Sequence, residues 1–351
     1  MVRTVVVTGG CGFIGSHFVR LLLRRPSWRV VNLDNLTYAG NLASLQDVEG
    51  HPAYVFVRGD IADVDTVDRM MKAHAPWAVV NFAAESHVDR SILDATPFLR
   101  TNILGVQTLL DAVRRHRVER FLQVSSDEVY GDAEGMAPFD EGAPLQPSSP
   151  YAASKAAADL LCLAYHRTHA APVVIARSAN NYGPFQFPEK LLPLMIRNTL
   201  AREPLPIYGD GAQVRDWLYV EDNCGALLLA LEHGRVGRLY NIATGEYRTN
   251  LEVVRAACRI VAAETRVPPS ELEALIRLVP DRPGHDRRYA IDAARTRSEL
   301  RWRPQTQFTD GLRMTVRWYL DHQDWIAQVT SGEYQRYYEA VYLRRWQQSV
   351  P

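Results

Sequence analysis

Two side chains four residues apart could together remove a proton from a hydroxyl group. Tyr151 and Lys155 stand at positions i and i+4, which places a phenol and an ammonium group on one face of a helix. Because a neighbouring cation favours the ionised phenol, we expect Lys155 to lower the pKa of Tyr151 and make it a general base. The same spacing also occurs in exposed helix pairs without chemistry, so its meaning depends on what surrounds it.

A second group of reactive side chains follows the apolar run 121–124. Asp127 and Glu128 are adjacent there, preceded by Ser126. Ligands bind at the carboxyl ends of strands in open α/β sheets, and elimination of water needs one group to take a proton and another to give one. An acid and a base side by side can do this if their surroundings separate their pKa values. The alternative is a solvated turn in which Asp127 is only a cap.

A glycine-rich segment near the N-terminus predicts a dinucleotide site. Gly9, Gly12 and Gly15 lie between a short β-branched run and a helical pattern, so the backbone can turn tightly and approach a pyrophosphate at the start of the helix. Asp34 closes the next apolar run about twenty residues later, as a ribose contact requires. An acid at this position repels a 2′-phosphate, and the pattern therefore favours NAD.

The elements that carry these residues alternate between strands and helices. Apolar runs separated by helical patterns, such as the one over 102–115, indicate a parallel sheet covered on both faces. The predicted strands are 5–7, 30–33, 54–57, 78–82, 121–124 and 173–175. We predict an α/β protein with a doubly wound parallel (Rossmann) sheet and a smaller, mostly C-terminal α/β substrate domain. The NAD-binding domain takes residues 1–180, with a strand and a helix returning around 210–245, and the substrate domain mainly takes residues 181–351.

Composition excludes several classes of protein. The 351 residues carry no formal net charge, which gives no general reason to expect nucleic acid or a membrane as partner. The four cysteines are far apart and form no CxxC pair, so we expect no disulfide framework and no metal site. These features, with no long apolar stretch, predict a soluble cytoplasmic protein.

The whole set of motifs resembles the extended short-chain dehydrogenase/reductase family and, within it, the dTDP-glucose 4,6-dehydratases. The resemblance covers nearly the whole chain. The matching segments are residues 8–16, 36–41, 83–91, 126–132, 149–155, 180–184, 187–191, 206–209, 215–222, 249–250 and 282–292.

The resemblance implies a reaction and a role for each candidate catalytic residue. Tyr151 would deprotonate the C4 hydroxyl of the sugar while Ser126 binds its oxygen, and Lys155 would orient the nicotinamide ribose. Glu128 would then remove the C5 proton, and Asp127 would protonate the leaving C6 hydroxyl. NAD would be regenerated in each turnover, and the product would be the 4-keto-6-deoxy sugar nucleotide.

The resemblance also implies ligand-binding residues and an assembly. Besides the glycines, Tyr151 and Lys155, the cofactor positions are Phe13, Ile14, Asp34, Asn35, Thr37, Asp60, Ile61, Phe82, Ala83, Ala84, Thr101 and Asn181. The nucleotide-sugar positions are Ser86, Ser126, Asn180, Lys190, Leu191, Pro206, Tyr208, Arg215, Asn250, Arg282 and His285. A homodimer is expected, in which the helices that start near residues 101 and 151 form a four-helix bundle.

Three questions stay open at this point. A UDP-sugar 4-epimerase or decarboxylase shares the fold, but neither needs an acid before Glu128, and a non-catalytic NAD-binding relative would not need Tyr151 or Lys155. The nucleotide base, dTDP or UDP, rests on resemblance alone. The segment 325–346, rich in Trp, Tyr and Arg, is expected to serve packing or an interface, without a chemical role.

Overall fold

The computed structural model describes residues 2–330. These residues form one large parallel sheet with its helices and a second, smaller layer. The strands are β1 Arg3–Thr8, β2 Trp28–Asp34, β3 Tyr54–Arg58, β4 Ala78–Asn81, β5 Arg120–Ser126, β6 Val173–Ser178, β7 Asn180–Tyr182, β8 Leu205–Tyr208, β9 Val214–Tyr219, β10 Leu239–Ile242, β11 Tyr247–Thr249 and β12 Ile276–Val279. The helices are α1 Phe13–Leu23, α2 Val64–His74, α3 Val88–Leu93, α4 Thr96–Phe98, α5 Val106–Arg115, α6 Pro150–His169, α7 Leu191–Ala201, α8 Val220–His233, α9 Asn250–Thr265, α10 Pro269–Glu273, α11 Ala294–Glu299, α12 Phe308–Asp321 and α13 Gln323–Val329. A π-helical segment, Leu99–Gly105, joins α4 to α5, and 3-10 helical turns cover Leu42–Val48 and Asp127–Tyr130.

The large sheet has seven strands in the order β10-β6-β5-β4-β1-β2-β3, all of them parallel. The six predicted strands are β1 to β6, and the predicted parallel α/β fold is confirmed. The strand order reverses between β1 and β4, because β1 pairs with β2 on one side and with β4 on the other. A crevice at the carboxyl ends of the strands is expected at such a switch point.

Helices cover both faces of this sheet, which explains its continuous apolar strands. Along β1, Val5 and Val7 face a cluster that includes α1 and α8, whereas Val6 faces a cluster with α2, α5 and α6. The helix α1, which follows the glycine-rich loop, packs on one face of the sheet, and α6, which carries Tyr151 and Lys155, packs on the other face.

The second layer has its own core. Strands β7, β9 and β11 form a three-stranded sheet, β8 pairs with β12, and helices α7, α9, α12 and α13 pack around them. Trp325 on α13 is buried in this core, as the predicted packing role requires. The rest of the aromatic segment, from residue 331 onward, lies outside the described residues.

No helix within residues 2–330 combines the length and apolar character needed to cross a membrane. Over the same residues, no three His, Cys, Asp or Glu side chains come together as a metal site would require. The four cysteines are buried and form no disulfide.

Candidate active site

A cavity of about 300 Å³ opens at the switch point of the large sheet. The N-terminus of α1 lines one side of this cavity, and the carboxyl ends of β2, β4 and β5 line the other sides. The start of a helix offers unpaired backbone N–H groups to an anion, so this side suits a pyrophosphate.

Buried side chains hold the glycine-rich loop in place. Gly10 N–H donates to Asn32 Oδ1 at 3.0 Å, and Cys11 N–H donates to Asp34 Oδ2 at 2.8 Å. The other carboxylate oxygen of Asp34 accepts from Leu36 N–H at 2.8 Å. Asp34 therefore fixes the loop and also lines the cavity, where its charge disfavours a 2′-phosphate. These features fit NAD.

Gly9 is a position in this loop that cannot take a side chain without a shift of the backbone. Its φ is +69°, and an added Cβ would lie 2.6 Å from Ala83 N. Gly9→Ala is therefore expected to lose most of its bound NAD, because either the loop or the strand end behind it must move. The cofactor content of the purified protein, read from its absorbance spectrum, checks this. Gly50→Ala is the matched control, since a Cβ at Gly50 meets nothing within 4 Å, and equal NAD content in both variants would contradict the expectation.

Helix α6 brings the phenol and the ammonium group of the Tyr-Lys pair to this cavity. Ser149 caps the helix by accepting from Ala152 N–H at 3.1 Å. Tyr151 and Lys155 are both buried one turn apart, and both line the cavity. Lys155 Nζ donates to Val124 O at 2.7 Å, which anchors it to the end of β5.

The expected lowering of the pKa of Tyr151 by Lys155 is wrong for the protein by itself. Burial and the charge of Glu128 raise this pKa, and a hydrogen bond with Ser126 lowers it only in part. The i, i+4 spacing could not reveal this, because the pKa depends on the desolvation of the phenol and on an acid from another element.

The acid pair follows β5 in a 3-10 turn. Ser126 caps the turn by accepting from Glu128 N–H at 3.2 Å. Asp127 is buried, with 3% of its surface exposed, and its Oδ2 has no hydrogen-bond partner within the described part of the chain. Glu128 is half-buried instead, and its Oε2 lies 3.5 Å from the Tyr289 hydroxyl. The two neighbouring carboxyl groups therefore have different surroundings.

Burial and the adjacent Glu128 raise the pKa of Asp127 to about 8. At neutral pH Asp127 is then protonated and can donate a proton, which is what a general acid requires. Glu128 faces cations instead, since its charge acts on Lys190, Arg215 and Arg282. The two carboxyl groups therefore have the different surroundings that an acid and a base side by side require.

A second cavity of about 160 Å³ continues from the first, and three cations, Lys190, Arg215 and Arg282, line it together with three carboxyl groups, Asp89, Glu128 and Glu189. Glu128, Asn180, Glu189 and Lys190 line both cavities, so Glu128 lies where they join and Asp127 lies beside it in the first cavity. Arg215 is held by Asp286 O at 2.9 Å and lies over the Tyr289 ring, 4.0 Å from its centroid. A guanidinium fixed in this way suits a diphosphate.

Polar contacts between residues far apart in sequence line another side of the second cavity. Tyr208 donates to Asp89 Oδ2 at 3.1 Å, and Arg282 lies 3.9 Å from the same oxygen. Burial and two neighbouring arginines lower the pKa of His285 to about 4, so its imidazole is neutral at pH 7 and can contact an uncharged group.

The predicted site residues divide between the two cavities. Every predicted cofactor position lines the first cavity, as do Ser86, Ser126, Asp127 and Glu128. The second is lined by the remaining predicted sugar-nucleotide positions, which are Asn180, Lys190, Leu191, Pro206, Tyr208, Arg215, Asn250, Arg282 and His285. Sequence reasoning missed the lining residues Asp89, Glu189 and Tyr289 as site residues, although each lies in a segment that carried the resemblance.

Comparison with known proteins shows which family the chain belongs to. The profile of the GDP-mannose 4,6 dehydratase family matches residues 6–315. The dTDP-glucose 4,6-dehydratase of Xanthomonas campestris is 50% identical over 341 residues, which are 94% of this chain and 97% of that protein. The chain belongs to the dTDP-glucose 4,6-dehydratase family.

Other members of the dTDP-glucose 4,6-dehydratase family are similar over the same length. The protein from Neisseria meningitidis is 49% identical, over 95% of this chain and 97% of its own. A crystal structure of the Streptomyces venezuelae dehydratase, with NAD bound, has a TM-score of 0.87 and 46% identity, over 93% of this chain and 100% of that one. The predicted membership of the extended short-chain dehydrogenase/reductase family is confirmed.

Proposed function

We propose that this protein converts dTDP-glucose to dTDP-4-keto-6-deoxyglucose, with NAD bound throughout the cycle. The observation that carries the proposal is the pair of Asp127, in the first cavity, and Glu128, at the junction of the two cavities. One acid is buried and protonated at neutral pH, and the other is half-buried among cations. This pair supplies the acid and the base that removal of water needs.

Each residue then has one task on the sugar. Tyr151 takes the proton of the C4 hydroxyl, while Ser126 binds the same oxygen and Lys155 fixes the cofactor ribose. NAD, which the glycine-rich loop, Asp34 and Lys155 would hold in the first cavity, would supply the hydride acceptor for C4 and the hydride donor for C6. The ketone at C4 acidifies the C5 proton, which Glu128 removes, and Asp127 protonates the C6 oxygen, which leaves as water. When the hydride adds to C6, Glu128 gives a proton back to C5, and the proton that Tyr151 took from the C4 hydroxyl balances the one that Asp127 gave. Arg215 and Arg282 bind the diphosphate and hold the sugar in place.

Epimerisation at C4 is the main alternative for this fold. It needs Tyr151, Lys155 and NAD but has no use for a protonated carboxyl group beside Glu128. Asp127 is buried without a hydrogen-bond partner for Oδ2 in the described part of the chain, which costs stability. A proton donor explains that cost, and the dehydration is therefore favoured.

The direct test is to incubate the purified protein with dTDP-glucose and no added reductant. Dehydration predicts a 4-keto-6-deoxy product, detected by its absorbance in alkali. UDP-glucose and UDP-glucuronate in parallel reactions test the choice of nucleotide and the decarboxylase alternative. Turnover of UDP-glucuronate with none of dTDP-glucose would overturn the proposal.

Three further parts of the proposal concern the chain as a whole. We assign residues 1–180, with the return around 210–245, to NAD binding and residues 181–351 mainly to the sugar nucleotide. Strand β10 and helix α8 support the return, because β10 is an edge strand of the large sheet and α8 packs on that sheet. We place the enzyme in the cytoplasm, since buried cysteines without disulfides suit a reducing compartment.

A homodimer is also part of the proposal. Leu99 and Leu104, on the helical stretch that begins at Thr96, are about half exposed, and so is Leu160 on α6. The two helical stretches pack against each other, so a second copy placed there would form the expected four-helix bundle.

Leu160→Glu is therefore expected to give monomers at micromolar concentration, because a charge would be buried between the subunits. Light scattering after size-exclusion chromatography measures the mass. Leu278→Glu is the matched control, since Leu278 is 55% exposed, close to the 57% of Leu160, but lies on β12. A dimer that persists in Leu160→Glu would place the interface elsewhere.

A further inference from the structure

A buried ion pair lies behind the catalytic helix, and the proposed mechanism does not use it. Arg177 Nε on β6 donates to Asp159 Oδ2 on α6 at 2.8 Å. Asp159 is 0% exposed and Arg177 is 2% exposed. Ser125 Oγ donates to the same carboxylate oxygen at 3.0 Å, while Asp159 Oδ1 has no hydrogen-bond partner within the described residues.

The position of Asp159 relates it to the catalytic lysine. Asp159 stands four residues after Lys155, so the two side chains lie on the same face of α6, one turn apart. Both are also tied to neighbouring residues of β5, Lys155 through Val124 O and Asp159 through Ser125 Oγ. A single strand end thus fixes the carboxylate and the ammonium group relative to each other.

The stability of the fold does not by itself explain the buried ion pair of Arg177 and Asp159. The desolvation of two buried charges offsets much of their attraction, and an apolar pair of similar size is often as stable. Arg177 is held in addition by the Tyr130 ring, 4.7 Å away, and the Tyr130 hydroxyl donates to Asn241 Oδ1 at 2.9 Å. The carboxylate is therefore fixed from behind by an extended network that ends beside Lys155.

We propose that Asp159 is a positioning residue for Lys155, whose ammonium group it keeps charged and directed at the cofactor cavity. The inference rests on the proposed role of Lys155 in the dehydration. Burial disfavours the ammonium ion and lowers the pKa of Lys155 to about 8, and the charge of Asp159 opposes this shift. Without the carboxylate, a neutral lysine would face the cofactor at working pH.

The other groups around Lys155 cannot take over this task. On its own helix, Tyr151 and Cys162 are uncharged at neutral pH, because burial raises the pKa of both. From β5 it meets the Val124 carbonyl, and from β6 the nearest charge is the cation Arg177, which Asp159 neutralises. In the turn after β5, Asp127 is protonated at neutral pH, and the charge of Glu128 acts on Tyr151 and Lys190 but not on Lys155.

The sequence allows a direct measurement of the charge on Lys155. Lys72, Lys155 and Lys190 are its only lysines, so protein labelled with ¹³C at lysine Cε gives three signals, which Lys72→Arg and Lys190→Arg assign. In the enzyme purified with its NAD, we expect the titration midpoint of Lys155 to fall by about one pH unit in Asp159→Asn. Asp159→Glu should restore the midpoint in large part.

Ser125→Ala is the matched control, because it removes a hydrogen bond to the same oxygen and leaves every charge in place. In Ser125→Ala the titration midpoint of Lys155 should differ from that of the wild type by at most about a quarter of the shift expected for Asp159→Asn. Equal midpoints in wild type and Asp159→Asn, or equal shifts in Asp159→Asn and Ser125→Ala, would overturn the proposal. If Asp159→Asn fails to fold, Asp159→Asn with Arg177→Gln removes the unpaired cation and tests the same downward shift. The titration needs no turnover, so its outcome is independent of whether dTDP-glucose is the substrate.

Discussion

Asp127→Asn is expected to lower kcat for dehydration by about 10²–10⁴-fold, the usual contribution of a positioned proton donor. The amide has nearly the shape of the acid but cannot protonate the C6 oxygen as it leaves. Oxidation at C4 precedes this step and should persist, so absorbance at 340 nm should rise when dTDP-glucose is added. Stopped-flow absorbance and a product assay measure the two steps separately.

The pH dependence of the wild type gives an independent test of this role. Because the pKa of Asp127 is raised to about 8, its proton is present below that pH and is lost as the pH rises through it. We expect the rate of dehydration to fall above pH 8 for this reason.

The stability of the variant separates loss of chemistry from loss of folding. A raised pKa in the folded state stabilises the fold only at low pH, and this contribution is lost as the pH rises through about 8. Asp127→Asn should therefore melt no lower than wild type at pH 8. Asp65→Asn, at an exposed position on α2, is the control and should keep full activity. Normal turnover in Asp127→Asn would show that the donor is another group.

Glu128→Gln is expected to block exchange of the C5 proton while leaving oxidation at C4 intact. The loss in kcat should again be about 10²–10⁴-fold. The charge of Glu128 raises the pKa of Tyr151, so its removal makes the phenol easier to ionise and does not hinder the first step. Deuterium uptake from heavy water, followed by NMR, reports the exchange, and absorbance at 340 nm reports the oxidation.

A matched substitution lies six residues further along the chain. Glu134 is exposed, and Glu134→Gln should exchange C5 deuterium and form product at the wild-type rate. Exchange at the normal rate in Glu128→Gln would exclude Glu128 as the base.

Local patterns were enough to predict the parts of the site that depend on spacing. Gly9 and Asp34 could be assigned because a strand, a tight turn and a helix fix their geometry within about thirty residues. The position of Glu128 after a strand likewise placed it at the carboxyl edge of the sheet. Both assignments required only that the alternating strands and helices form the predicted parallel sheet.

Properties that depend on distant residues could not be predicted in this way. The raised pKa of Tyr151 results from its burial and from Glu128 on another element. Likewise, the contact between Asp89 and Tyr208 joins positions 119 residues apart. Spacing along the chain carries no information on either, because both arise only when separate elements of the fold pack together.

The most direct test of the proposed function follows one hydrogen atom through the reaction. The enzyme is given dTDP-glucose labelled with deuterium at C4, in ordinary water, and the deuterium in the product is located by NMR. Dehydration with internal return of the hydride predicts deuterium at C6 of the 4-keto-6-deoxy sugar. Deuterium found again at C4 of an inverted, fully hydroxylated sugar would contradict the account and indicate an epimerase.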